Sequence, residues 1–217
     1  MNEVTKQKNK RLLIMIIGNI ILGIGITLFR NLGFGVDPFM SMTIGISNKF
    51  SIQLGIFQMC LNIGLFVILF SLIKKLMGLG TIVNMLFLGY MVQYFSFLYG
   101  EFLAAPSTIL GKLILLLVAL LVQVIGMSLY ITADLGIAPY DCLPIILSEK
   151  TRFEFGIWRV FCDTICVILA IVFGGSIGIS TLIIAFGTGP LVQFFNKYFE
   201  KKILKKNIDI NYMMNDV

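Results

Sequence analysis

Polar residues are so sparse in this chain that its pattern is set by where the apolar runs stop. Six runs reach the roughly 20 residues that a helix needs to cross a bilayer: Leu12–Phe29, Gly55–Ile73, Thr81–Tyr99, Ile109–Ile131, Phe155–Phe173 and Thr181–Tyr198. Two more, Asp37–Asn48 and Pro139–Ser148, are apolar but too short to cross. They read as re-entrant or half-helical segments, which a membrane tolerates only where protein or a wet cavity covers the free backbone. The expected fold is therefore an all-α polytopic membrane protein of six transmembrane helices.

The two halves repeat. Leu32-Gly-Phe-Gly-Val-Asp-Pro-Phe39 is answered by Leu135-Gly-Ile-Ala-Pro-Tyr-Asp-Cys142, and Gly55-Ile-Phe-Gln58 by Gly156-Ile-Trp-Arg159. Asn62 answers Asp163, Gly78-Leu-Gly-Thr81 answers Gly178-Ile-Ser-Thr181, and Gln93 answers Gln193. The offset falls from 103 positions (Leu32 to Leu135) to 100 (Gly78 to Gly178), as two short gaps would produce. Repeats of this kind are a fold-level signal. Repeat 1 covers about 12–99 and repeat 2 about 109–198, within a single membrane domain flanked by basic tails at 1–11 and 199–217. Three spanning helices per repeat is an odd number, so the second repeat enters from the opposite side. The expectation is an inverted pair.

Charge gives the orientation. With a cytoplasmic amino terminus, fourteen of the 17 Lys and Arg residues fall inside: Lys6 to Arg11, Lys74, Lys75, Lys150, Arg152, Arg159, and Lys197 to Lys206. Only Arg30, Lys49 and Lys112 fall outside, which satisfies the positive-inside rule. Both termini are then cytoplasmic. Lys74-Lys75 follows the second helix inside, whereas the matching Gly174-Gly175 follows the fifth outside and carries no charge. Leu12–Phe29 exceeds the 7–15 residues of a signal-peptide core, so a retained first helix is expected.

Composition agrees with this plan. Of the 217 residues 58% are hydrophobic and 13% charged, and mean hydropathy is +0.97, where soluble domains carry about 25% charge. The net charge of +6 sits at helix ends, which argues against nucleic acid as a partner. The chain has no histidine, and its four cysteines (Cys60, Cys142, Cys162, Cys166) show no C-x-x-C spacing. No metal centre, cofactor or histidine-based catalysis is expected, and the cysteines read as small buried hydrophobes.

The elements Leu32–Phe39, Gly55–Asn62, Gly78–Asn84, Tyr130–Asp141, Trp158-Arg159 and Gly189–Phe194 together resemble the YczE/YyaS/YitT family of bacterial integral membrane proteins. The resemblance runs from about Gly23 to Phe195. It implies a bacterial inner-membrane location and brings no substrate or catalytic residue with it.

Charges inside a bilayer cost about 2.5–3.5 kcal/mol on insertion scales, so each needs a reason. Asp163 lies mid-helix with Arg159 one turn earlier, where an i,i+4 pair shares a face. The pair reads either as a solute or proton site or as an ion pair locking the helix to its neighbours. Gln58 and Asn62 take the equivalent places in repeat 1, which suits an asymmetric site at a repeat interface. Asp37 precedes Pro38 and fits a helix cap; at Asp141 the proline comes first, so a cap is less natural and a place on the path more so. Gly23, Gly25, Gly33, Gly35, Gly126 and Gly136 are expected to let helices approach closely, and Gln93 and Gln193 to bond between helices. Asp134 is expected at the cytoplasmic interface.

These features point to a secondary transporter of a small solute working by alternating access of the repeats. Asp163, Arg159, Asp141, Asn62, Gln58 and Asp37 form its candidate path for solute or coupling ion. The alternative is a scaffold or regulatory subunit of another membrane complex. The lipid bilayer is the expected surrounding partner, and a homo-oligomer is compatible with either reading. An enzyme is not expected.

Overall fold

Each apolar run becomes a helix. The computed structural model describes residues 3–73, 78–103 and 106–201, and all regular structure among them is helical. In chain order the helices are α1 (Glu3–Leu32), α2 (Pro38–Lys49), α3 (Leu54–Ile73), α4 (Leu79–Phe102), α5 (Ile109–Thr132), α6 (Pro139–Lys150), α7 (Phe155–Phe173) and α8 (Ile179–Phe199). Five of them are long and apolar enough to cross a membrane. A sixth span is reached when α2 and α3, bent by 118° at the break between them, count as one. The outward side chains suit hydrocarbon: Ile109, Ile171 and Phe97 are 76%, 65% and 62% exposed. The basic residues Lys74, Lys75 and Lys202 to Lys206, and the segment Asn207–Val217, lie outside the described residues.

The ends of the helices explain the breaks. α2 starts with Pro38 in its first turn, and the Asp37 carboxylate accepts from Met40 N at 3.0 Å. α6 starts the same way with Pro139, but after Ala138, so Asp141 is left free of capping. α4 and α8 open with one repeated device, in which Thr81 and Thr181 hydroxyls accept from Gly78 N (3.3 Å) and Gly178 N (3.2 Å).

The breaks then cross over. Gly35 (φ +98°) lies against Gly178 at the start of α8, and Gly136 (φ +112°) lies against Gly78 at the start of α4. Ser180 N donates to Phe34 O (3.0 Å), and Gly80 N donates to Leu135 O (2.7 Å). Each repeat gives the other the same contact that it receives, as parts related by a two-fold axis do. This corrects the pairing of the two breaks. The backbone sets Gly35 with Gly136 and Pro38 with Pro139, an offset of 101 positions, where the Leu-Gly match had set 103. Under the corrected register Phe39 answers Tyr140, and these rings stack on one another at 4.5 Å.

α1 and α5 form the core. A Cβ added at Gly18 would lie 2.6 Å from Tyr130 N, and one at Gly25 would lie 2.6 Å from Gln123 Cα. Such approach of backbones is what small residues allow in membranes. The expectation holds for Gly25, Gly35, Gly126 and Gly136, whose added Cβ would clash. Gly23 makes only ordinary contacts, and Gly33 (φ +71°) has open space around it and serves the backbone at the end of α1 instead.

Candidate functional site

Buried charge gathers in one place, where α5, α6 and α7 meet. Arg159 is 7% exposed and Asp163 is fully buried. Arg159 Nε donates to Asp163 Oδ2 at 3.1 Å, along one face of α7 as the i,i+4 spacing requires. Arg159 Nη1 donates to Asp141 Oδ1 at 2.5 Å, tying α7 to the first turn of α6. Tyr130 of α5 donates its hydroxyl to the other oxygen of Asp141. Tyr140 Oη donates to Asp163 Oδ1 at 2.6 Å, and the Cys166 thiol donates to Tyr140 Oη at 3.4 Å. The guanidinium also lies 5.1 Å from the centre of the Tyr140 ring. A chain of hydrogen bonds therefore runs from Cys166 through Tyr140, Asp163, Arg159 and Asp141 to Tyr130.

Such satisfaction is what permits these charges inside a helical bundle, since a buried charge left without partners is expensive. The acids differ in access. Both oxygens of Asp163 are occupied within a sealed contact, while the Asp141 side chain keeps 14% exposure. Asp37 caps α2 and interacts electrostatically with Asp163, Arg159 and Asp141. Two carboxylates, Asp141 and Asp163, thus share one guanidinium.

Of the residues expected from sequence, Asp163, Arg159 and Asp141 converge, and Asp37 stands within reach of their charge. Gln58 and Asn62 are half-buried on α3 and form no side-chain hydrogen bond among the described residues. The charge count sets Arg159 with the cytoplasmic loops, but it is buried within the bundle, so the inside count rests on the other basic residues. Asp134 pairs with Arg11 at 2.9 Å, both partly exposed. Gln193 donates to Glu154 at 3.0 Å, whereas Gln93 is exposed, so the expected interhelical bond forms in one repeat only. Asn84 bonds Asn19 at 3.0 Å between α4 and α1. Tyr130 and Tyr140 were missed, because a tyrosine in an apolar run looks like core. Among the described residues no group of three or more Cys, Asp or Glu is arranged to hold a metal ion.

A family profile described as a family of unknown function, DUF6198, matches residues 9–197. The chain belongs to the DUF6198 family. Three relatives accompany that match. An uncharacterized protein of Haemophilus influenzae is 28% identical over 123 residues, covering 57% of this chain and 55% of its own. The uncharacterized membrane protein YczE of Bacillus subtilis is 29% identical over 116 residues, covering 54% and 52%. The uncharacterized protein YyaS of Bacillus subtilis is 27% identical over 191 residues, covering 88% and 94%. The matched segment thus spans about half the length of the first two relatives. These names agree with the resemblance read from the motifs, and with a helical membrane protein as the nature of this DUF6198 chain. No solved structure matches it.

Proposed function

We propose that this DUF6198 protein is a secondary transporter of a small solute in the bacterial cell membrane, working by alternating access of two inverted repeats. The observation that carries the reading is the network around Arg159. It holds two carboxylates on one guanidinium among apolar helices, beside two broken segments that exchange reciprocal contacts. Discontinuous helices at a repeat interface are where transporters place solute and ion sites. The excess of carboxylates over cations favours a proton, Na⁺ or a cationic solute over an anion. Asp141 is its point of entry, because its carboxylate is partly open and bonded to the arginine, and Asp37, half-buried at the start of α2, is the second. Asp163 and Arg159 hold the charge balance behind it.

The test is uptake by purified protein in liposomes, over a panel of small solutes, with proton or Na⁺ gradients imposed and omitted. Asp141→Asn should abolish gradient-driven flux while the protein remains folded. Absence of flux throughout the panel, in protein whose fold is intact, would sink the reading.

One observation favours the second reading, a non-transporting subunit of another membrane complex. Asp163 is saturated by its partners and sealed from access, as a purely structural ion pair would be. Under that reading an Arg159→Gln, Asp163→Asn double variant keeps full cellular function, and the protein co-purifies with one partner at fixed stoichiometry.

A further inference from the structure

Corresponding helices of the two repeats are packed differently. α7 is held by α8, where an added Cβ on Gly189 would lie 2.8 Å from Gly156 O. It is held by α2, where a Cβ on Gly45 would lie 2.7 Å from Gly175 N. Arg159 and Asp163 pin it to α6. Its counterpart α3 has none of these ties. Gly55 and Gly89 answer Gly156 and Gly189, yet a Cβ on either meets nothing within 4 Å. Gln58 and Asn62, which answer Arg159 and Asp163, form no side-chain hydrogen bond among the described residues. The two seams are built from matching glycines, and one is closed while the other is open.

We propose that α3 is the moving gate of this protein: it swings onto α4 until Gly55 meets Gly89, as Gly156 already meets Gly189, while α7 releases α8. This rests on the alternating-access reading and deepens it. In an inverted pair, exchanging the conformations of the repeats yields the opposite-facing state. The described conformation is then closed along the α7–α8 seam and open along α3–α4, the side that a cytoplasmic amino terminus makes the outside. α3 is the element fitted to move, because among the described residues it packs loosely on α4 and no ion pair holds it, and low local contact density marks segments that open at small cost. The glycines explain how it can close, since only a residue without a Cβ permits that approach.

Pulsed electron-electron spin resonance in full-length protein tests this, in a Cys60→Ser background that removes the exposed cysteine. One spin-labelled pair, Ile56→Cys with Leu86→Cys, spans the open seam. The equivalent pair, Ile157→Cys with Phe186→Cys, spans the closed one. All four side chains are exposed. Distances are recorded in liposomes at acidic and alkaline pH, with and without Na⁺. Each pair should show a long and a short population, and conditions that enrich the short population at α3–α4 should deplete it at α7–α8. Gly89→Leu should erase the short α3–α4 population without unfolding the protein, because the described state has space for the side chain. A single long α3–α4 distance under every condition, or a short population that survives Gly89→Leu, overturns the proposal. The outcome is separable from transport itself: two exchanging populations without flux condemn the transporter reading and not the gate, and flux with one fixed population condemns the gate.

Discussion

Removing the Arg159 guanidinium leaves Asp141 and Asp163 in the bundle without their shared counter-charge. Breaking a buried pair by deleting one partner costs about 3–5 kcal/mol, most of it the desolvated charge left behind. Arg159→Gln should therefore lower the thermal midpoint in detergent by many degrees. Neutralising all three (Asp141→Asn, Arg159→Gln, Asp163→Asn) should recover most of the loss, since groups in one network are not additive. Equal midpoints for the single and the triple variant would show that the network does not hold the helices. Asp37 asks a different question. Asn caps a helix as well as Asp does, whereas Ala costs about 1 kcal/mol. Asp37→Ala should lower the midpoint and Asp37→Asn should leave it unchanged. If Asp37→Asn loses flux with the midpoint intact, Asp37 serves the path as well as the cap. At this scale the acids and the arginine were legible in the sequence because charge in an apolar run is conspicuous. Tyr130 and Tyr140 were not, although a buried tyrosine hydroxyl requires a partner, which the structure supplies as Asp141 and Asp163.

At the scale of elements, glycine decides where helices and breaks can meet. Gly35 (φ +98°) and Gly136 (φ +112°) hold backbone conformations that side chains rarely adopt, and each lies against the start of the other repeat's last helix. Gly35→Ala and Gly136→Ala should each cost on the order of 1–3 kcal/mol from backbone strain alone, seen as a lowered midpoint and reduced yield of monodisperse protein. Gly23→Ala should be close to silent, because its added Cβ meets the Phe95 ring at an ordinary 3.4 Å. A severe Gly23→Ala beside a mild Gly35→Ala would contradict the packing described. The breaks themselves were readable, since Gly, Pro and Asp interrupt hydrocarbon in both halves. Their register was not. Leu32-Gly and Leu135-Gly look alike as letters, but the turn is defined by which glycine takes the positive φ against the partner helix, and Gly35 takes that place in the first break. Only the contact between the repeats reveals it.

Over the whole molecule, the reciprocal contacts are those that a two-fold relation between the repeats would produce, and the proposed alternating access depends on the direction of that axis relative to the bilayer. An axis in the membrane plane places equivalent residues on opposite sides; an axis along the normal places them on the same side. Lys49 and Lys150 decide between them. They end α2 and α6, two half-helices of 12 residues each, and both are exposed. Lys49 lies 4.9 Å from the centre of the Phe173 ring at the far end of α7, while Lys150 stands four residues before the cap that starts α7. A helix of 19 residues, at about 1.5 Å per residue, separates those two ends by most of the thickness of the hydrocarbon. The proposed inverted arrangement therefore puts the lysines on opposite faces, with Lys150 cytoplasmic by the charge bias. In a Cys60→Ser background, Lys49→Cys should react with a membrane-impermeant maleimide on intact cells, and Lys150→Cys only after permeabilisation. Labelling of both from the outside, or of neither, would make the repeats parallel, and alternating access between two inverted halves would lose its basis.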